Sequence, residues 1–229
     1  RGRADRASRQ VEQLTYYDGL TGLPNRSLFE TRLAGHLPEA AVARQRYVVA
    51  AFGPDNPRQL REALGEGAVE VLLQRIAARL RMLVPGPEPL VARIDGDRFA
   101  VAFGPVNGTE AAATRAQELR SRLDEAAGDV RSDLVFTSSA GIALYPDDAR
   151  EAEGLVAAAL SAQAAASRDG GRRVEFYSLE QTRRGRDQPP RRRGVVHRPL
   201  ARRPQQQPDP AARLGRELQA SGLDARQDL

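Results

Sequence analysis

The chain has 229 residues, of which 41% are hydrophobic and 28% charged, a composition that excludes a largely disordered protein. It contains no cysteine and two histidines, which excludes disulfides, thiolate nucleophiles and cysteine-based zinc sites. The formal net charge is +5, but residues 183–229 hold 12 arginines against 5 acidic residues, so the body is mildly acidic. No apolar run reaches the roughly 18 residues of a membrane helix, and the missing initiator methionine indicates a fragment or processed product. We expect a cytoplasmic protein.

The first half of the chain predicts an incoming helix, a loop, a helix, a buried strand and a second helix. Residues 1–15 are polar and indicate a helix end, and the glycines and proline of 18–26 predict a structured loop. A helix over 26–37 would carry Leu28, Phe29, Leu33 and Leu37 on one face. The apolar run 47–52 predicts a buried strand. A helix over 69–84 would have the apolar face Leu72, Leu73, Ile76, Leu80 and Leu83.

The second half predicts a β-hairpin followed by alternating helices and strands. Two apolar runs flank an Asp-Gly turn within 90–103, which is a strong hairpin signal. Residues 109–128 predict a helix with Thr109 as its N-cap and Gly128 at its end. A strand over 134–145, a helix over 151–171 and a short strand over 173–177 follow. One mixed α/β sheet covered by helices is the simplest architecture for this order.

Beyond residue 182 the apolar periodicity is lost, and proline, glutamine and arginine dominate. Three interpretations of this segment remain open. It is a disordered linker, or a segment whose arginines bind anionic polymers or membranes. Alternatively it is a frameshift product, because GC-rich codons read out of frame still give arginine, alanine, proline and glycine without periodicity.

The segment DGLTGLPNR resembles the opening motif of GGDEF domains, which form the diguanylate cyclase family. The residues that carry this likeness are Asp18, Leu20, Thr21, Gly22, Leu23, Pro24, Asn25 and Arg26. The segments 64–81, 92–103, 138–148 and 167–177 are similar to later blocks of that family and follow in the same order. The resemblance covers about residues 12–178.

This resemblance implies a fold, a domain organisation and a chemistry. The implied fold is an adenylyl-cyclase-like α/β palm, with a mixed central sheet covered by helices, over residues 18–178. Residues 1–17 would be the end of an incoming linker helix, and 179–229 a disordered basic tail or an out-of-frame segment. Family members condense two GTP molecules into cyclic di-GMP at a homodimer interface, with Mg²⁺.

Phosphoryl transfer of this kind needs carboxylates that hold Mg²⁺. The resemblance places the family's first metal-binding aspartate at Gly53. Its hairpin-turn residues fall on Asp95, Gly96, Asp97 and Arg98, followed by Phe99. Asp97 is therefore expected as a weak metal ligand, while Arg98 puts a permanent cation where the family has an acid. Two alternatives remain open: Asp97 is simply a turn residue, or Asp55 and Asp95 rebuild a shifted metal site with it.

The nucleotide contacts implied by the resemblance are also altered. A phosphate-contacting lysine of the family falls on Arg58, and its guanine-reading asparagine and aspartate fall on Arg61 and Glu70. A late phosphate-contacting lysine falls on Ser167, and a nearby arginine on Gly171, where Arg172 or Arg173 could substitute. The Arg-x-x-Asp product-inhibition motif is absent from residues 86–89. The alternative is structural: Arg58 and Arg61 lie on a solvated helix face, and Glu70 favours a helix start.

These substitutions predict a degenerate, non-catalytic GGDEF domain that serves as a regulatory or dimerisation module in bacterial cyclic di-GMP signalling. The alternative is an active diguanylate cyclase with a rearranged Mg²⁺ site, and a nucleic-acid-binding protein is a third, less favoured hypothesis. GTP and Mg²⁺ are expected as ligands only if the nucleotide site is retained. The expected partners are a second copy, or a fused sensor or EAL phosphodiesterase domain. The loop over 18–26 is expected to couple the incoming helix to the domain and to take no part in chemistry.

Overall fold

The computed structural model describes residues 15–84, 90–128 and 136–178. Within these ranges, helices and strands follow one another as α1 (Arg26–Val42), β1 (Arg46–Pro54), α2 (Pro57–Leu64), α3 (Glu66–Leu83), β2 (Val91–Asp95), β3 (Arg98–Val106), α4 (Thr109–Gly128), β4 (Ser138–Tyr145), α5 (Ala152–Arg168) and β5 (Val174–Phe176). The predictions for the incoming helix before residue 15, for residues 86–89 and for residues 179–229 lie outside the described residues.

The five strands form one mixed sheet in the order β2-β3-β1-β4-β5. Neighbouring strands are antiparallel except β4 and β5, which are parallel. β1 lies at the centre of the sheet, and its residues 48–53 are buried. The predicted mixed α/β sheet is therefore confirmed, and the apolar run 47–52 falls within its central strand.

Helices cover both faces of this sheet. On one face, Val48, Ala50 and Phe52 of β1 share an apolar cluster with residues of α3 and α4. On the other face, Val49 and Ala51 share a second cluster with residues of α1 and α5. Successive residues of a strand point to opposite faces, so a strand that is covered on both sides is a continuous apolar run.

The region after β1 differs from the sequence prediction, which placed a single helix over 69–84. The chain instead forms α2 and α3, separated by Gly65, whose φ of +77° favours glycine. The sequence does not predict α2, because this helix buries only Leu60 and therefore shows no apolar periodicity. Pro57 stands in its first turn, where the missing N–H is tolerated.

Two further helix ends differ from the prediction. α1 continues to Val42 instead of ending at residue 37, although it contains Pro38. α5 ends at Arg168 instead of residue 171, because Gly170 and Gly171 have φ of +121° and +73°, which no right-handed helix accepts.

The fold brings four chain segments to one end of the sheet: the end of β1, the β2–β3 turn, the start of α2 and the end of α5. The antiparallel register sets Phe52, near the end of β1, opposite Phe99, near the start of β3. Ser167 at the end of α5 donates a hydrogen bond to the backbone carbonyl of Asp55, directly after β1. Across the described ranges, none of the helices combines the length and the apolar character needed to cross a bilayer.

Candidate functional site

The β2–β3 turn stands beside the end of β1. Phe99 anchors it, because this side chain is 1% exposed and lies in the core of the sheet. Nε and Nη2 of Arg98 donate hydrogen bonds of 2.7 and 2.5 Å to the two carboxylate oxygens of Asp95, which closes the turn across Gly96. The guanidinium of Arg98 and the carboxylate of Asp95 thus neutralise each other at the tip of the hairpin.

Two side chains fill the space in front of Gly53. A Cβ atom at this position would lie 3.0 Å from Nε2 of Gln163 in α5 and 3.1 Å from Cγ of Arg98 in β3. Both distances are shorter than ordinary van der Waals contact, so any side chain at position 53 would displace these two neighbours. The position that the family resemblance assigns to a metal carboxylate is therefore tightly packed by Gln163 and Arg98.

Asp97 is held by an arginine from a different element. Nη1 and Nη2 of Arg61 in α2 donate hydrogen bonds of 2.6 and 2.5 Å to the two carboxylate oxygens of Asp97. Asp97 is 8% exposed, whereas the side chain of Arg61 is 36% exposed and also lies 3.4 Å from Glu66. The hydrogen bond with Asp97 raises the pKa of the Arg61 guanidinium above its ordinary value, so this arginine stays charged.

Asp55 links three elements at this end of the sheet. Its Oδ1 accepts a hydrogen bond of 2.5 Å from Oγ of Ser139 in β4, and its Oδ2 accepts one of 3.0 Å from the backbone N–H of Arg172. A Cβ atom at Gly171 would lie 2.6 Å from Cγ of Asp55, so this glycine allows the close approach. The carboxylate of Asp55 therefore fastens the loop before β5 to the strands.

The carboxylates at this end of the sheet do not fit a magnesium ion. Asp55, Asp95 and Asp97 are each engaged by a different donor group, and the described residues contain no group of three or more acidic or histidine side chains that could hold a metal. Mg²⁺ prefers six oxygen ligands in a near-ideal octahedron. In place of those oxygens, this site presents two guanidinium groups and an amide.

The other positions that the resemblance assigns to the nucleotide are not brought together. Arg58 is exposed and forms an ion pair of 2.9 Å with Glu62 on the same helix. Glu70 is exposed on the first half of α3. A cleft of about 320 Å³ lies at the end of the sheet, and Arg98 and Ser167 line it, whereas Arg58 and Glu70 do not. Arg61 does not line the cleft either, although its partner Asp97 does.

The N-terminal loop, residues 18–25, is tied to the hairpin by Arg93 of β2. Nη1 of Arg93 donates hydrogen bonds of 3.0 and 3.1 Å to the carboxylate of Asp18, while Nε and Nη2 donate to the carbonyl of Gly96. Burial acts to raise the pKa of Asp18, but hydrogen bonds from Thr21 and Arg93 outweigh it and hold that pKa below its ordinary value. One arginine therefore connects the loop to the turn that carries Asp97.

The remaining residues of the N-terminal motif hold the loop in shape. Asn25 caps α1 by accepting a hydrogen bond of 3.1 Å from the backbone N–H of Leu28. The carbonyls of Leu20 and Thr21 accept hydrogen bonds from Gln74 and Arg81 of α3. Gly22 has a φ of +64°, and Leu23 is buried. Pro24 forms a β-bridge with Tyr17, and Arg26 forms an ion pair with Glu30.

Two residues of the site do not follow from the sequence arguments. Gln163 is 4% exposed and lies on the buried face of the alanine-rich helix α5. The sequence signal for this residue is a single glutamine on a helix face formed otherwise by alanine, leucine and valine. Arg93 interrupts the apolar pattern of β2, and the charge in a predicted strand was the corresponding signal.

Comparisons with known proteins point to one family. The family model described as "Diguanylate cyclase, GGDEF domain" matches residues 15–173. The bifunctional diguanylate cyclase/cyclic di-GMP phosphodiesterase MucR of Pseudomonas aeruginosa is 33% identical over 143 residues, which are 62% of this chain and 21% of MucR. An uncharacterized signaling protein of Caulobacter vibrioides is 34% identical over 178 residues, 76% of this chain and 22% of that protein. The chain thus spans about a fifth of the length of these relatives.

Solved structures show the same similarity. The isolated GGDEF domain of PA1120 (TpbB or YfiN) from Pseudomonas aeruginosa has a TM-score of 0.63 and 28% identity, and covers 75% of this chain and 100% of its own. A sensory box/GGDEF family protein from Caulobacter crescentus has a TM-score of 0.58 and 34% identity, and covers 68% of this chain and 99% of its own. The predicted palm-like fold is therefore confirmed.

Proposed function

This chain belongs to the GGDEF domain family of diguanylate cyclases, and we propose that it is a non-catalytic member that serves as a regulatory or dimerisation module in cyclic di-GMP signalling. The observation that carries this proposal is the two-fold hydrogen-bonded ion pair between Arg61 and Asp97. Asp97 is the carboxylate that the family pattern retains, and here a cation from the same chain already neutralises it. A divalent ion would have to displace that arginine before it could bind.

The charges around the turn support the same conclusion. Arg98 occupies a position where the family pattern has an acidic residue. Its side chain lies beside Gly53, a second position where the pattern has an acidic residue. Each replacement removes a metal ligand. The guanidinium of Arg98 is permanently charged and engages the carboxylate of Asp95 in two hydrogen bonds, so a metal would have to compete with it for that carboxylate as well.

The parts of the domain that hold the loop and the hairpin together are intact. The connection from Asp18 through Arg93 to Gly96 is complete, and the core on both faces of the sheet is closed. A domain that keeps its scaffold but has lost its metal ligands can still transmit a conformational change or bind a partner. MucR, a relative named as bifunctional, combines two activities in one chain, and we propose that this domain acts on such an attached domain or on a second copy.

The proposal is tested by assaying the purified chain for cyclic di-GMP formation from GTP and Mg²⁺, with chromatographic detection of the product. An active diguanylate cyclase serves as the positive control, and a reaction without enzyme sets the background. We expect no product above that background. Product formed by the unmodified chain would refute the non-catalytic assignment and favour an active cyclase with a rearranged metal site.

A further inference from the structure

The connection between β3 and α4 contains the one Asn-Gly step of the sequence. Asn107 and Gly108 lie between the end of β3 at Val106 and the start of α4 at Thr109. An asparagine that precedes a glycine is open to attack by the next backbone nitrogen on its side-chain Cγ, because glycine has no side chain to block the approach. Asparagine is a thermally labile residue in proteins, and this step is where we expect the chain to lose an amide.

Both reacting groups are accessible in the folded domain. Asn107 is exposed and Gly108 is half-buried. A Cβ atom built at Gly108 would meet no atom within 4 Å, so the space beside this glycine is open. Among the hydrogen bonds of the described residues, none involves the side chain of Asn107 or the backbone N–H of Gly108. The amide of Asn107 is therefore free to rotate toward the nitrogen of Gly108.

The connection is attached to the sheet and to the helix on either side of the reacting atoms. Val106 pairs with Arg46 at the end of the β1–β3 ladder. The carbonyl of Gly108 accepts a hydrogen bond of 3.3 Å from the backbone N–H of Ala112 in the first turn of α4. A five-membered ring formed by Asn107 and the nitrogen of Gly108 uses neither the Val106 pairing nor this carbonyl. Ring closure therefore needs no opening of β3 or α4.

The other two asparagines of the chain differ from Asn107 in their surroundings. The side chain of Asn25 accepts a hydrogen bond from the backbone N–H of Leu28 and donates one of 2.8 Å to the carbonyl of Thr15. Asn56 precedes Pro57, whose nitrogen carries no hydrogen and cannot close the ring. Neither combines a free side-chain amide with a following backbone N–H, so both serve as internal controls.

From this geometry we propose that Asn107 is a site of spontaneous deamidation in the folded protein. The backbone nitrogen of Gly108 gives its proton to water and forms a bond to Cγ of Asn107. The bond between Cγ and Nδ2 breaks, and Nδ2 takes up a proton and leaves as ammonia. Water then opens the succinimide ring at either carbonyl group, which yields aspartate or isoaspartate. The net reaction consumes one water molecule, releases one ammonia and involves no oxidation or reduction.

The modification changes the charge and the chain path before α4. Either product carries a new carboxylate in front of the first turn of this helix, where the free backbone N–H groups favour a negative charge. Isoaspartate in addition lengthens the main chain by one methylene group between Val106 and Gly108. The aged protein should therefore focus at a lower isoelectric point than the fresh protein.

The test is incubation of the full chain in a mildly alkaline buffer, with aliquots digested by trypsin and analysed by mass spectrometry. The tryptic peptide 99–115 contains Asn107 as its single side-chain amide and contains no aspartate, so any acid or isoaspartate that forms in it comes from this residue. We expect a progressive mass shift from amide to acid in this peptide, and methylation of part of the product by an isoaspartate carboxyl methyltransferase. Asn25 and Asn56 should stay unmodified over the same period. An unshifted peptide 99–115, or an equal shift at Asn25, would overturn the inference.

A synthetic peptide of residues 99–115 and the variant Asn107→Gln are the matched controls. A reaction that first required local unfolding would be slowed by the opening equilibrium, so we expect the folded chain and the free peptide to react at similar rates. A rate in the folded chain more than about tenfold below that of the peptide would show that the fold protects Asn107.

The variant Asn107→Gln keeps an amide at this exposed position, but its longer side chain would have to close a larger ring. It should show no shift in peptide 99–115, and thermal unfolding checks that it is folded. A shift that persists in this variant at the wild-type rate would refute the mechanism through Gly108. None of these outcomes depends on whether the domain makes cyclic di-GMP.

Discussion

The carboxylate of Asp97 is already bound by an arginine of the same chain. Arg61 approaches it from α2 with both terminal nitrogens, in a geometry that matches a carboxylate. Asp97 is almost fully buried, so the arginine also compensates the loss of its hydration. The pair should therefore contribute to stability as well as exclude a metal.

We predict that Arg61→Ala destabilises the domain by about 1–3 kcal/mol, because it leaves the carboxylate of Asp97 buried without a partner. Arg58→Ala is the matched control, since Arg58 lies on the same helix and its side chain is 92% exposed. It should change the unfolding free energy by no more than about 0.5 kcal/mol. Urea denaturation measures both. Equal losses in the two variants would show that the ion pair with Asp97 is not specifically stabilising.

The sequence identifies part of this site at the level of single residues. Comparison of the sequence with the family pattern already identifies the glycine at position 53 and the arginine at position 98. The pairing of Arg61 with Asp97 is not, because the two residues are far apart in the chain and belong to an unpredicted helix and a turn. The role of Asp55 was also hidden, because it depends on hydrogen bonds from Ser139 and Arg172.

At the level of elements, the β2–β3 hairpin is the part that a short sequence signal predicts best. Its Asp-Gly turn and two apolar runs give both the turn and the strands, and β3 pairs with the central strand along six residue pairs. α2 is the opposite case, because a short amphipathic helix with one buried residue resembles a loop in sequence. Both elements form the site, and the sequence pattern predicts the hairpin but not α2.

Substitution of Phe99, which anchors the β2–β3 hairpin, tests whether this hairpin lies in the core. Phe99→Ala should destabilise the domain by about 3–5 kcal/mol, because it removes a fully buried aromatic ring and leaves a cavity. Met82→Ala is the control, since Met82 is 65% exposed, and should cost less than about 0.5 kcal/mol. Chemical denaturation compares the two. A loss below about 1 kcal/mol for Phe99→Ala would place the hairpin outside the core.

The link between the N-terminal loop and the hairpin should depend on pH. The pKa of Asp18 is lowered below its ordinary value of 3.8, so its contribution is complete above that value and is lost as the pH falls through the lowered pKa. Asp18→Asn should therefore be less stable than the wild type at neutral pH, with a difference that shrinks below about pH 4. Denaturation at a series of pH values measures this. A difference that stays constant into strong acid would contradict the assignment.

At the scale of the whole molecule, the elements from α1 to β5 span residues 26 to 176, and the family match spans 15–173. We therefore predict that residues 18–178 form one protease-resistant domain. Limited trypsin digestion followed by mass spectrometry should leave a fragment that ends near Ser178. A resistant fragment that extends to Leu229, or one that lacks β5, would show that the domain boundaries are wrong.

The central claim is that the metal site of this domain has been lost at more than one position. Cyclic di-GMP formation by the wild type, by Gly53→Asp and Arg98→Glu singly, and by the double variant tests it most directly. Gly53→Asp alone would push against Arg98 and Gln163, and Arg98→Glu alone would still lack the opposing carboxylate. We predict no product from the wild type or from either single variant, and measurable turnover, if any, only when both repairs are present. Cyclic di-GMP made by the unmodified chain would contradict the account.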